Sequence, residues 1–347
     1  MVDSRLVEIK TPQARSLEKS GLAWFMEDDN HDYIAPELLQ VDQAEIIAYE
    51  KNGQDLYNLM IEVAEEVLQK NLLHEIGIPD VAAPLLRYSM ANERHLHLLG
   101  RFDFAGGLDG QAIKLLEFNA DTMSLLPETA LLQPYLKELL PRRQRNNSFQ
   151  FNRVQSRIEF RLEEIIKTTG RTYPSLLGSS LGYEEDVINV DVVLDCASKV
   201  GCTDVQNVNL EQVIFSPQEG IFVEVNPEEY IRYDLWYKMV PWEWMLFEEP
   251  ALFQDLSQII LNQQAIVLNP AFTILLQSKG LLKYMYDRYA DHPALLVTSF
   301  SEQSFKDLRV VEKPVFGRIG ENVKIYQGSV YPSASNEGDY GHFKKIY

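Results

Sequence analysis

The chain has 347 residues, 46% of them hydrophobic and 24% charged, with a formal net charge of −19. A globular protein of that length buries roughly three quarters of its unfolded surface and needs no disulfide staples. The acidity excludes a nucleic-acid binder resting on basic surface, and no apolar run approaches the ~20 residues of a membrane span.

The start, MVDSRLVEIK, carries no apolar signal core, so a cytoplasmic location is expected, with Cys196 and Cys202 as free thiols. Residues 41–75 are free of Pro and place Ile46, Ile47, Leu56, Leu59, Met60, Val63 and Val67 at helical spacing. The spacing predicts a long helix, ended by Gly-Ile-Pro at 77–79. Next come LLGRFDF (98–104) and LLEFNAD (115–121), separated by the glycine-rich AGGLDG (105–110). Both strings alternate. Leu96, Leu98, Phe102 and Phe104 take one side, and His97, Arg101 and Asp103 the other. In the second string Leu116, Phe118 and Ala120 oppose Glu117, Asn119 and Asp121.

Folded as an antiparallel hairpin, these strings set Asp103 opposite Glu117 and Arg101 opposite Asn119. One face then holds three carboxylates, an amide and a guanidinium. Such a cluster is costly unless a cation joins it, and Asp, Glu and Asn oxygens are what Mg²⁺ uses when it also carries phosphates. A solvated hairpin face bearing alternating charges is the plain alternative.

Further along, a helical stretch is expected at 127–140, a basic break at PRRQRNNS (141–148) and an amphipathic helix at 151–170. Residues 171–240 suggest an αβ unit with CTDVQNV and GIFVEVN as strands; 255–300 reads as mostly helical, and 309–331 as two strands about a glycine-containing loop. With no regular βα alternation, the expectation is an α+β fold with mixed or antiparallel sheets flanked by helices.

Two other motifs bear on chemistry. Gly178-Ser179-Ser180-Leu181-Gly182 matches G-x-S-x-G, the nucleophile elbow of serine hydrolases, but His292 and His342 sit in no triad-like segment and no parallel βαβ scaffold is expected. His95 and His97 share a strand face and could bind zinc with a third ligand, although no H-E-x-x-H or C-x-x-C accompanies them. Neither a Walker A motif nor a GxGxxG fingerprint occurs.

The R-x-D then E-x-N-A-D of the hairpin resembles the magnesium and ATP motif of the glutathionylspermidine synthase family of ATP-grasp ligases. VPWEWM (240–245), NPAFTILLQSKGLL (269–282), DHPALLVTSF (291–300) and VVEKPVFGRIGENVKIY (310–326) are similar to that family's later blocks, in the same order. The resemblance implies an ATP-grasp-like fold and an ATP- and Mg²⁺-dependent ligase. Such an enzyme joins a carboxylic acid (a glutathione-like peptide) to an amine (polyamine-like) through an acyl phosphate. It puts Mg²⁺ on Asp103, Glu117 and Asn119, and Arg101 on phosphate and the acid. Nucleotide contacts fall to Arg101, Phe102, Asp103, Lys279, Lys313 and the loop glycines Gly317 and Gly320.

Thr122 and Ser124 would contact the acid, the alternative being a helix N-cap, and Glu184 and Glu185 match an acidic pair near the peptide site. PWEWM serves as a family marker and packing wedge. Net acidity would attract a cationic amine, and it equally serves solubility.

The resemblance further implies one domain of several lobes: the hairpin at 95–121, an acid and amine side at about 150–245, and a nucleotide side at about 250–331. No amidase domain is expected, since no cysteine precedes the hairpin. Family members continue beyond the position of Tyr347 with a segment completing the nucleotide site. A catalytically impaired ATP-grasp-fold binding protein is therefore one alternative, and a Ser180 hydrolase another. The partners expected are small-molecule acid and amine substrates, with no nucleic acid and no membrane; the oligomeric state stays open.

Overall fold

Hydrophobic spacing and turn chemistry account for most of the architecture seen in a computed structural model, which describes residues 5–19, 22, 33–305, 309–327 and 332–347. The N-terminal strand β1 (Leu6–Glu8) pairs antiparallel with β2 (Glu37–Leu39), with helix α1 (Ala14–Lys19) between them. Helix α2 (Gln43–Gln69) buries Leu56, Met60, Val63, Ala64 and Val67 along one stripe, as the periodicity predicts from Leu56 on, whereas Ile47 is exposed and the helix stops short of 75. At its start the Glu45 carboxylate accepts the Asp42 N–H at 2.9 Å and both terminal nitrogens of Arg5. The Arg5 guanidinium and the Asp42 amide hold Glu45 down to about 2. A short 3-10 turn ends at Gly77, whose φ of 82° suits glycine. A Cβ there would meet Val315 Cγ2 at 2.6 Å, so the turn lies directly on the segment that follows Lys313.

Helix α3 (Ala83–Ala91) leads to the hairpin β3 (Arg101–Ala105) and β4 (Lys114–Asn119). Residues 127–140 are helical as expected, with a π turn (Glu128–Leu132) running into α4 (Gln133–Glu138). The basic segment at 141–148 is not a plain break. It forms the short helix α5 (Arg142–Asn147), ahead of the amphipathic α6 (Val154–Thr169).

Residues 171–240 form the expected αβ unit, with strands at CTDVQNV and GIFVEVN, but the parallel sheet that runs through 171–268 was not expected. Strand β5 (Ser175–Ser180), helix α7 (Glu184–Lys199) and strand β6 (Thr203–Asn209) form a parallel β-α-β unit. After the antiparallel meander β7 (Val213–Ser216), β8 (Gly220–Asn226) and β9 (Glu229–Tyr233), strands β10 (Leu235–Lys238) and β11 (Ile266–Leu268) join β5 in parallel. The sheet order is β11-β10-β5-β6. Strands β5, β10 and β11 are buried at every position, so they show no apolar–polar alternation to read. Their residues nonetheless divide the core. Leu177, Trp236 and Val267 belong to the core cluster that takes in residues of α2 and of the helix α9 (Pro250–Leu261) that follows α8 (Trp242–Phe247), while Leu176, Leu235, Tyr237 and Leu268 belong to the one that takes in residues of α6 and α7.

Beyond β11 come α10 (Thr273–Gln277) and α11 (Leu281–Arg288), and then a last sheet of order β14-β13-β12-β15. It comprises β12 (Arg309–Pro314), β13 (Lys324–Gln327), β14 (Ala334–Ser335) and β15 (Lys345–Ile346). Part of the expected second strand, 328–331, lies outside the described residues. Antiparallel hairpins, a parallel sheet and flanking helices together make a mixed α+β fold. Among the described residues no helix is long and apolar enough to cross a membrane.

A buried ion pair ties the sheets together. Lys238, at the end of β10, and Asp121, just past β4, are both fully buried, with Lys238 Nζ 2.7 and 2.9 Å from the two carboxylate oxygens. Asp121 also accepts the Trp242 N–H at 2.7 Å and the Thr273 hydroxyl at 3.3 Å, and Lys238 donates to Val240 O and lies over the Trp242 ring. Burial pushes the Asp121 carboxyl up and the Lys238 ammonium down, and their mutual attraction opposes both shifts. Replacing Lys238 with Ala leaves that carboxylate uncompensated, so urea unfolding should show a loss of about 3–5 kcal/mol. A loss below about 1 kcal/mol, the scale of one ordinary hydrogen bond, would mean the pair does not hold the sheets.

Candidate functional site

The hairpin adopts the expected register: Arg101 faces Asn119 and Asp103 faces Glu117. A bulge follows, because Phe104 pairs with Leu115 and leaves Leu116 as the extra residue. The bulge corrects the expected alternation. Leu115, not Leu116, packs with Phe118 in the core, and Leu116 turns to the cleft beside Glu117. Asp121 also departs from the expected acidic face, since β4 ends at Asn119 and Asp121 turns inward to Lys238.

On the polar face Arg101 Nε donates to Asp103 Oδ1 at 2.8 Å, and Asn119 Nδ2 donates to Asp103 Oδ2 at 3.2 Å. Lys279 crosses to Glu117 at 3.1 Å and also donates to Gly317 O at 3.1 Å. Its backbone N–H reaches Val315 O at 2.8 Å, fastening the α10–α11 junction to the end of β12. On β12 the Lys313 ammonium faces the same space. Burial, with Lys279 nearby, holds Lys313 below the usual lysine range, and the carboxylates of Glu117 and Asp103 oppose that shift. A cleft of about 450 Å³ results, lined by Asp103, Glu117, Lys279, Lys313, Gly317 and Gly320 among others. Two carboxylates and two ammoniums thus face one another across an open space.

The remaining predicted residues are partly gathered. Thr122 Oγ1 accepts Arg318 Nη2 at 3.1 Å, and Ser124 Oγ accepts Arg101 Nη1 at 3.3 Å. Neither hydroxyl caps a helix, because the cap position of the π turn is Pro127. Phe102 is not in the cleft. Its ring stacks on Phe118 at 4.0 Å on the opposite face, as alternation along β3 requires. Glu184 and Glu185 are exposed in the first turn of α7. That turn comes within electrostatic range of Arg318: burial and Glu185 push Asp186 up, and Arg318 opposes them.

Residues outside the predicted set complete the site. Arg318, in the GRIGEN loop (317–322), pairs with Glu243 at 2.9 Å, a residue of PWEWM. Trp242 next to it is fully buried, as a packing wedge should be. Gln277 Oε1 accepts the N–H groups of Ala120 (2.7 Å) and Asp121 (3.3 Å), aligning α10 with the end of β4. From the C-terminal segment, Asn336 donates to Gly320 O, Glu321 accepts the Asp339 N–H, and Ile346 of β15 pairs with Lys313. Arg318 and Glu243 both lie inside motifs read from the sequence, but their partnership spans 75 positions and leaves no local signal.

The competing motifs find no chemistry. Gly178–Gly182 does join a strand to a helix, within a parallel β-α-β unit that was not expected, yet Ser180 is buried and its hydroxyl accepts the Gly182 N–H. His292 accepts the Ala294 N–H and His342 contacts Asp339 O, so neither acts as a base for Ser180. Both ring nitrogens of His97 are occupied, Nε2 by Leu99 O and Ala120 O and Nδ1 by the Tyr57 hydroxyl, and burial lowers its pKa to about 4. It is a structural histidine. His95 packs edge-on against Tyr88.

The sequence profile described as "Glutathionylspermidine synthase preATP-grasp" matches residues 5–347. The chain belongs to that family. Among similar proteins, a Haemophilus influenzae protein named "Putative acid--amine ligase" is 28% identical over 287 residues, covering 82% of this chain and 69% of its own. Trypanothione synthetase of Crithidia fasciculata is 25% identical, covering 87% of this chain and 47% of its own. The bifunctional glutathionylspermidine synthetase/amidase of Escherichia coli is 21% identical over 99% of this chain and 56% of its own. The chain thus spans about half the length of the last two. A glutathione synthetase-like effector of Globodera pallida in its apo form aligns in structure with a TM-score of 0.48 at 10% identity, over 94% of this chain and 71% of its own. Family membership makes the chain a distant homologue of acid–amine ligases.

The cleft electrostatics carry a direct chemical consequence. Burial favours the neutral amine of Lys313, so at pH about 8 an N-hydroxysuccinimide ester should acylate it faster than exposed lysines, whose pKa is about 10.4. Glu117→Gln removes the carboxylate that favours the charged form and should speed labelling further. Peptide mass spectrometry that finds Lys313 labelled at the same rate in both proteins would show that Glu117 does not act on it across the cleft.

Proposed function

We propose that this chain is an ATP- and Mg²⁺-dependent ligase that joins a carboxylic acid to an amine through an acyl phosphate. The observation that carries the reading is the convergence of Asp103, Glu117 and Asn119 with Lys279 and Lys313 across one cleft, beside the GRIGEN loop. The donor set suits Mg²⁺. Two carboxylates and an amide oxygen fit a cation that keeps water and substrate phosphates as its other ligands. Bound there, the ion would neutralise charge on the transferring phosphoryl group.

Lys279 and Lys313 reach the triphosphate from the opposite wall. Their charge offsets what develops as the γ-phosphoryl group moves, the main task of a phosphoryl-transfer site. Amide groups of the Gly317–Gly320 loop supply further donors and exclude water. On the hairpin side, Arg101 and the hydroxyls of Thr122 and Ser124 orient the acid. Its carboxylate oxygen attacks the γ-phosphorus as the bond to ADP breaks. The amine nitrogen then attacks the acyl carbon, phosphate leaves, and the nitrogen gives up its proton. The relatives' names suggest a glutathione-like acid and a polyamine-like amine, and the exposed Glu184 and Glu185 add to the field that draws a cation. On this reading the three lobes are the hairpin, the acid and amine side at about 150–245, and the nucleotide side at about 250–331.

Mg·ATP should stabilise the protein, by about 2.7 kcal/mol at a hundredfold excess over Kd, and Asp103→Ala or Glu117→Ala should reduce that stabilisation. With acid and amine supplied, the nucleotide product should be ADP, and oxygen-18 from the acid should appear in the released phosphate. AMP and pyrophosphate as products would eliminate the acyl-phosphate route.

A further inference from the structure

The GRIGEN loop has two working sides. One side, through Gly317, Gly320 and Glu321, lines the cleft with Lys279 and Lys313. From the other side Arg318 reaches to Glu243 and Thr122, with a single guanidinium nitrogen 2.9 Å from Glu243 Oε1 and 3.1 Å from Thr122 Oγ1. Glu243 is only 6% exposed, and its second oxygen, Oε2, is buried with no hydrogen-bond partner. A buried carboxylate oxygen without a donor is costly. Arg318 already pairs with Oε1, so Oε2 leaves a place for a further hydrogen-bond donor, which an ammonium can supply.

We propose that Glu243 is the binding group for the protonated amine co-substrate, and that Arg318 occupies this position until nucleotide arrives. The inference rests on the ligase reading above and adds the place of the amine and the order of binding. Because Thr122 and Glu243 share one guanidinium nitrogen, an ammonium on Glu243 lies next to the hydroxyl assigned to the acid. That is where an amine must wait to meet an acyl group. The loop carrying Arg318 also contributes to the phosphate cleft, and a triphosphate is a stronger partner for a guanidinium than one carboxylate. Nucleotide therefore withdraws Arg318, uncovers Glu243 and admits the amine.

Isothermal titration of the four-carbon α,ω-diamine into the full chain tests this, with the equivalent diol as the uncharged control. At ~150 mM salt the screening length is about 8 Å, which suppresses diffuse attraction to the acidic surface. Saturable diamine binding is expected in the presence of Mg²⁺ and a non-hydrolysable ATP analogue, and at least tenfold weaker binding in their absence. Glu243→Gln should lose tenfold or more of the nucleotide-dependent affinity. Arg318→Gln should bind the diamine without nucleotide. Titration of Mg·ATP alone, followed by melting temperature, separates the two readings: no response in the wild type defeats the ligase assignment. A normal Mg·ATP response with diamine affinity unchanged in Glu243→Gln, or with Arg318→Gln still requiring nucleotide, overturns this inference alone.

Discussion

The position of the charged hairpin depends on polar groups that never meet solvent. Asn269, fully buried just after β11, accepts the N–H groups of Leu98 and Leu99 and donates to the carbonyls of Leu99, Ala120 and Asp121. One side chain therefore grips the backbone entering β3 and the backbone leaving β4. His97 adds a second clamp between the same two segments, and the Asp121–Lys238 pair fastens the exit to the parallel sheet. Groups buried at this density are tolerated because each has partners, and removing any one would strand the rest. The parallel sheet is thus the frame, and the hairpin is a rigid fitting on it.

That frame explains how short strands from distant parts of the chain can position charge accurately. The polar face of the hairpin is held from behind by Phe102, Phe104 and Phe118, stacked in one layer, and from its open end by the buried clamps. Across the cleft Lys279 is held by its own backbone bond to Val315, so the opposing wall is attached by a main-chain contact rather than by side chains alone. The GRIGEN loop is the exception. Its links run through side chains and single carbonyls: Lys279 to Gly317, Asn336 to Gly320, Arg318 to Glu243. The least firmly built part of the site is also the part a bound nucleotide would have to pass.

Local features were the ones legible in the sequence. The hairpin register follows from two alternating strings and a glycine turn, and helix α2 from its apolar stripe. Alternation could not reveal that β4 stops at Asn119, so Asp121 reads as part of the acidic hairpin face when it is buried against Lys238. It could not reveal the bulge that exchanges Leu115 for Leu116 either, because both are leucines. The parallel sheet escaped for a different reason. Strands of three to six residues buried on both faces carry no period, and LWYK and IVL look like fragments of helix or loop. Glu243 and Arg318 sat in recognisable motifs, but pairing between residues so far apart is decided by tertiary structure. Residues from several of the family blocks, read in order, line one cleft, whose geometry the blocks themselves do not give.

Gly77 shows how far the shape of the cleft is set from outside it. The residue touches no part of that space, yet the 3-10 turn that closes after helix α2 rests against Val315, with no room for even one methyl between them. Val315 in turn accepts the backbone of Lys279 through its carbonyl and follows Lys313 by two positions. Both cationic side chains are therefore referenced to a single contact on the turn that follows the longest helix. The spacing between the two lysines and the hairpin carboxylates is a dimension of the scaffold, fixed by a missing side chain some way from the chemistry.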